Sequence, residues 1–155
     1  MSIYLDEYTL GQEFVTPART ITEADVVMFG CLTGDLHPNH FNKVRMEQGE
    51  FGQRLVHGLL GLSMAHGLLF QLDLLRDSCI AFLGVEDWQF KAPVFFGDTI
   101  HCNVTVTEIR PSKSKPDRGV LKLAFQLLNQ NGAVCQTGVK VLMMHAHRPA
   151  APCGG

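Results

Sequence analysis

The sequence predicts an α+β fold in which a curved antiparallel sheet wraps around a long central helix. Three observations carry this reading. Residues 57 to about 74 are apolar on nearly every side, and a helix of that kind must be covered all round. Four strand-like runs follow between Ser78 and Met144, separated by turn signals rather than helices, which suits antiparallel neighbours. Gly58, Gly61, Ala65 and Gly67 place small residues along the helix, so that a sheet can approach closely despite their cost in helix propensity.

A chain of 155 residues suits one domain, here 1–147, with a short C-terminal tail at 148–155. Its 46% hydrophobic and 18% charged residues are those of an ordinary globular protein. A net charge of −2 gives no basic stripe for nucleic acid. The five cysteines form no CxxC pair and are expected to be buried free thiols in a reducing compartment. Met1–Glu7 lacks the basic start and apolar run of a signal peptide, so a cytoplasmic location is expected. His57, Ser63, His66 and Gln71 interrupt the long apolar run, which argues for a buried helix over a membrane span.

Taken in order, residues 1 to 11 are an opening segment closed by Gly11. Glu13 to Ile21 read as extended structure broken at Pro17. Thr22 caps a helix whose first turn carries Glu23 and Asp25, and which ends at Gly34. Residues 35 to 55 form a polar connection with room for one short helix. A connection of this length inside a compact domain suggests a functional overhang. After the central helix come strands at about 78–90, 99–109, 120–128 and 134–144. Turns at Phe96-Gly97-Asp98, Pro111–Gly119 and Asn129–Gly132 separate them.

The chemistry concentrates in Thr33-Gly34-Asp35-Leu36-His37-Pro38-Asn39-His40. A carboxylate and an imidazole stand five residues apart there, in a stretch that Pro38 is expected to keep non-helical. Such a pair can hold a water and move protons near neutral pH; equally, Asp35 could cap a turn and His40 could be a surface histidine. His37 and His57 add imidazoles nearby, but no spacing matches a helical metal-ligand pair and no cysteine lies close, so no metal is expected. Gly58 at the helix N-terminus would offer free N–H groups to a carbonyl, or be a packing glycine. Ser63 could reach a substrate or be a satisfied helix serine. The basic Pro111–Gly119 loop reads as solvated charge.

Gly34-Asp35-Leu36-His37-Pro38-Asn39-His40 resembles the Gly-Asp-x-Asn-Pro-x-His pattern of the MaoC-like hydratases and dehydratases, which include (R)-specific enoyl-CoA hydratases. Val56-His57-Gly58 opening the helix, Leu83-Gly84, and Phe90–Asp98 follow in matching order, so the likeness covers roughly residues 10 to 144. The resemblance implies a hot-dog fold and reversible hydration of a trans-2-enoyl thioester to the (R)-3-hydroxyacyl-CoA. Asp35 and His40 would activate water, and the Gly58 N–H would stabilise the enolate-like thioester oxygen. Ser63, His37 and His57 would lie toward the substrate. It also implies coenzyme A as the substrate's carrier (acyl carrier protein being the other possibility), no separate cofactor, and a homodimer or higher oligomer. In one respect the chain departs from the pattern: His37 replaces the asparagine, which bears on the acyl group accepted. A thioesterase on the same fold and a non-catalytic acyl-CoA-binding subunit are the competing readings.

Overall fold

The fold is built around a mixed arrangement of four helices and six strands in a computed structural model that describes residues 1–147. The tail expected at 148–155, with Cys153, lies outside the described residues. Tyr4, Leu5 and Tyr8 of the opening segment are buried around a single 3-10 turn at Leu5–Glu7. Strands β1 (Glu13–Val15) and β2 (Arg19–Thr20) follow as two short pieces either side of Pro17. Helix α1 (Glu23–Thr33) begins where the acids and the threonine predict. Asp25 N–H donates to Thr22 Oγ1 (3.3 Å), while Thr22 N–H donates to the Asp25 carboxylate (2.8 Å). Gly34 closes α1 with φ +79°, a left-handed conformation that glycine adopts without strain.

The connection after Gly34 differs from expectation. It holds two short helices, α2 (Pro38–Phe41) and α3 (Lys43–Glu47), rather than one. Pro38 initiates α2: at the first helical position its missing N–H costs nothing and its fixed φ suits the helix. His40 therefore stands on a helical turn and Asp35 in the loop before it.

Helix α4 (Gly58–Phe70) is the central helix, and it ends about four residues before the apolar run does. Beyond Phe70 the bonding tightens to three-residue steps, Leu72 N–H to Leu69 and Asp73 N–H to Phe70, and Asp73 turns the chain with φ +56°. Leu60, Met64, Ala65, Leu68 and Leu69 face the core, but Leu59 is 60% and Phe70 40% exposed, so one chain does not cover the helix all round.

Strands β3 (Cys79–Phe90), β4 (Thr99–Pro111), β5 (Arg118–Leu128) and β6 (Val134–His145) pair antiparallel in the order β1-β4-β5-β6-β3, with β2 on β4. The inward rows are set by alternation: Ile100, Cys102, Val104 and Val106 on β4 lie beside Leu121, Leu123, Phe125 and Leu127 on β5. Register shifts within β3 and β4 mark bulges, which bend the sheet toward α4. β3 is left as an edge, with Phe82, Leu83, Val85 and Phe90 exposed along it. Cys79, Cys102 and Cys135 are free and at least half-buried; Cys31, against expectation, is exposed. Among the described residues no helix is long and apolar enough to cross a membrane.

Candidate active site

The loop after α1, the turn of α2 and the N-terminus of α4 meet at the mouth of a cleft of about 540 Å³. Asp35, His40, His57, Gly58, Phe90 and Gln136 are among its lining residues. The loop shapes itself locally. Thr33 Oγ1 accepts from Asp35 N–H (3.3 Å), and Asp35 Oδ1 accepts from His37 N–H (3.4 Å), so residues 33 to 37 fold back around the carboxylate.

Two histidines are oriented by backbone carbonyls. His40 Nδ1 lies 2.7 Å from Leu55 O, and His57 Nε2 lies 2.9 Å from Asp35 O. A carbonyl only accepts, so each of those nitrogens carries the hydrogen. The neutral His40 ring then presents Nε2 as an acceptor. Its ring stacks on that of His57 with centroids 3.7 Å apart and planes 25° from parallel, and Phe29 and Phe41 flank His57 from other sides. His57 is 2% exposed, and its Nδ1 is buried with no hydrogen-bond partner among the described residues. Burial lowers the His40 pKa below the ordinary histidine value, His57 and His37 add to that, and Leu55 O and Asp35 oppose it. His40 is thus held ready to accept a proton.

Lining the same cleft is the first turn of α4. The first intrahelical bond is Gly61 N–H to His57 O (3.2 Å), so the N–H groups of Gly58 and Leu59 precede it and point out of the helix end. A β-carbon on Gly58 would meet the Phe90 ring at 2.7 Å, so any larger residue there would have to displace that ring. Beneath it, Gln136 Nε2 donates to Gly58 O (3.0 Å) and Gln136 Oε1 accepts from Trp88 Nε1 (3.0 Å), tying the helix end to β6 and β3. The cleft thus carries a carboxylate and an imidazole, backbone donors, and apolar surface from Val56, Ala92, Pro93 and Val94.

The structure gathers Asp35, His40, His57 and Gly58 at one cleft and puts the other two candidates elsewhere. Ser63 is a correction: it does not line the cleft. Five residues on from Gly58 it has turned roughly 140° around the helix, donates to Leu59 O at 2.8 Å, and lines a separate groove of about 310 Å³ between α1 and α4. His37 is exposed and caps α2, its Nδ1 accepting from Asn39 N–H (3.2 Å), with its ring 6.3 Å from that of His40. The site also recruits Leu55 O and Gln136, which the sequence reading misses. Gln136 had left one trace: it is a polar residue in the inward alternation Gln136, Gly138, Lys140, Leu142, Met144.

Solved structures with this fold place the chain in a class. It is a hot-dog fold protein, similar over 96% of its length to the whole of a MaoC-like dehydratase from Rhodospirillum rubrum (TM-score 0.84, 25% identity). It is similar over 87% of its length to 96% of the (R)-hydratase from A. caviae involved in PHA biosynthesis (TM-score 0.72, 30% identity). The family model described as "MaoC like domain" matches residues 7–124, and the chain belongs to that family. Among curated relatives, the (R)-specific enoyl-CoA hydratase of Aeromonas caviae is 32% identical over 121 residues, 78% of this chain and 84% of that protein. Protein MaoC of Klebsiella aerogenes is 41% identical over 102 residues, 66% of this chain, and the match spans only 30% of that longer protein.

Proposed function

We propose that this protein catalyses the reversible addition of water to a trans-2-enoyl thioester, giving the (R)-3-hydroxyacyl thioester, with coenzyme A as the carrier. The observation that carries the reading is that Asp35, His40 and the free N–H end of α4 at Gly58 line one largely apolar cleft. Water held by Asp35 and His40 loses a proton to that pair as its oxygen bonds to the β-carbon. The double-bond electrons move onto the thioester oxygen, where the Gly58 N–H and the helix dipole stabilise the charge. A proton returned to the α-carbon completes the addition, and the reverse sequence expels water.

His57 serves both halves of the site: it precedes Gly58 and holds the Asp35 carbonyl, while stacking on His40. The reading requires no metal. Asp35, His40 and His57 present donor atoms within 4.8 Å of one another, but near-parallel stacked imidazoles send their lone pairs along adjacent planes rather than to one point, which suits a held water. The bare β3 edge, with Phe82, Leu83, Val85 and Phe90 beside exposed Leu59 and Phe70, supports a homodimer in which a second copy covers this surface.

The test follows the absorbance of the conjugated enoyl thioester with crotonyl-CoA. Its disappearance, with Asp35→Asn lower by roughly 10²–10⁴-fold in kcat and still folded by circular dichroism, is the expected result. Release of free thiol instead would make the protein a thioesterase. Tight binding without turnover would make it an acyl-CoA-binding subunit.

A further inference from the structure

From the cleft, α4 and β6 run inward side by side, Gly58 and Gly61 lying over Gln136 and His66 sharing its surroundings with Lys140. Three glycines mark this seam. A β-carbon on Gly58 would meet the Phe90 ring at 2.7 Å, one on Gly61 the Gln136 carboxamide at 2.3 Å, and one on Gly138 the Trp88 ring at 2.4 Å. At Gly58 and Gly61 that room is filled by the ends of rotatable side chains, Phe90 of β3 and Gln136 of β6, whereas at Gly138 the Trp88 backbone Cα also stands within 2.9 Å.

At the far end of the row stand two nitrogens that the fold does not satisfy. Lys140 is wholly buried, yet its Nζ has no hydrogen-bond partner among the described residues; neither has the buried Nδ1 of His66. The rings of Phe125 and Trp88 lie 4.3 and 5.4 Å from Lys140 Nζ, which softens the charge but offers no acceptor to its N–H groups. The groups that act on the ammonium are Cys102 from β4 and His66 from α4, and among the described residues no carboxylate pairs with it. Burial accordingly pulls its pKa down to about 7. An orphaned buried cation beside a second orphaned nitrogen is costly as a packing element and well suited to receiving an anion.

We propose that the acyl group taken by this site ends in a carboxylate, seated between Lys140 Nζ and His66 Nδ1 at the inner end of the α4–β6 seam. His66 is eight residues from Gly58 along α4, roughly 12 Å at the helical rise. Lys140 is four residues from Gln136 along β6, roughly 13 Å at the strand rise. Helix and strand thus bring the two nitrogens to a similar depth, and a thioester held at Gly58 directs its chain toward them once Phe90 and Gln136 swing aside. The inference rests on the hydratase reading only for the position of the thioester.

The experiment is a calorimetric titration at pH 7 with pairs of saturated acyl-CoAs of matched length, one ending in a methyl group and the other in a carboxylate, over a series of lengths. At the best length the carboxylate ligand should bind roughly 10- to 100-fold more tightly. Lys140→Met should erase that ratio, and His66→Phe should reduce it. At pH 8 binding should also draw a proton from buffer onto Lys140, read as an enthalpy that varies with the buffer used. A ratio near one at every length, or a ratio that survives Lys140→Met in folded protein, overturns the proposal. Crotonyl-CoA turnover on the same preparation tests the chemistry separately. Turnover with a ratio near one removes the anion pocket and leaves the hydratase; the ratio without turnover does the reverse.

Discussion

Replacing Lys140 by methionine should make the protein more stable, and the gain should depend on pH in a predictable way. The ammonium is wholly buried, and its pKa falls from 10.5 to about 7 on folding. Each pH unit of that difference is worth about 1.4 kcal/mol, so the charged form is disfavoured by roughly 5 kcal/mol in the folded state. Relaxation and water penetration reduce what is measured, and a gain of about 2–4 kcal/mol at pH 7 is the working expectation. Methionine keeps the unbranched chain that packs on Phe125 and Trp88 and loses only the charge.

The sign of the pH effect follows from proton counting. Between about pH 7 and 10.5 the unfolded lysine is protonated and the folded one largely is not, so the unfolded state binds more protons and wild-type stability rises with pH. Burial raises the Cys79, Cys102 and Cys135 thiols, which act in the opposite sense above the ordinary thiol range. The difference between variant and wild type cancels Cys79 and Cys135, and Cys102, which Lys140 touches electrostatically, enters only above the ordinary thiol range. Urea denaturation of both at pH 6.5 to 10 therefore reads Lys140 directly: the variant's advantage should be largest at pH 7 and shrink toward pH 10. An advantage that is flat with pH, or a variant less stable than wild type at pH 7, refutes the reasoning.

Three further outcomes are expected. The pH profile of kcat/KM for crotonyl-CoA should keep its plateau below the ordinary histidine value of 6.5 before activity falls, because burial and neighbouring imidazoles keep His40 unprotonated; an acid limb at or above 6.5 would assign that limb to another group. Gly61→Ala puts a β-carbon 2.3 Å from Gln136 Nε2 and displaces the amide from Gly58 O, costing about 1–3 kcal/mol, or a Tm lower by roughly 3–10 °C in calorimetry. An unchanged Tm would mean that Gln136 moves freely. Leu83→Lys puts a charge on the exposed β3 edge and should shift the protein toward monomer by sedimentation velocity, whereas an unchanged mass would place the subunit contact elsewhere.

The parts of the fold legible in the sequence are those written in local chemistry. Thr22 with Asp25 and Gly34 bounds α1 to the residue, since a cap and a left-handed glycine are local requirements. The alternation of β4 and the Asn129–Gly132 turn place the last strands within a residue or two of where they fall. Boundaries that depend on tertiary packing are less visible. Leu72, Leu74 and Leu75 extend the apolar run without extending α4, because they pack on the core from a turn. Pro38 reads as a breaker when its neighbours are unknown and as a helix starter once His37 is seen to cap it. The motif draws attention to Asp35 and His40, but the carbonyls that orient the imidazoles belong to residues whose side chains carry no signal, Leu55 among them. Ser63 lies outside this cleft for a geometric reason, since a position on a helix is also a direction.

The stretch between α2 and α4 is fastened to the acid/base pair through main-chain atoms at its far end. Leu55 accepts from His40 and donates to Asn39 O (2.9 Å), and Val56 N–H reaches Val94 O (2.8 Å). Bonds of this kind are indifferent to side-chain identity. Residues 42 to 54 can therefore change in composition, and even in length, while the histidine keeps its tautomer and aim. The fold thereby uncouples the aim of the histidine from the side chains of that segment, which can vary without moving the imidazole.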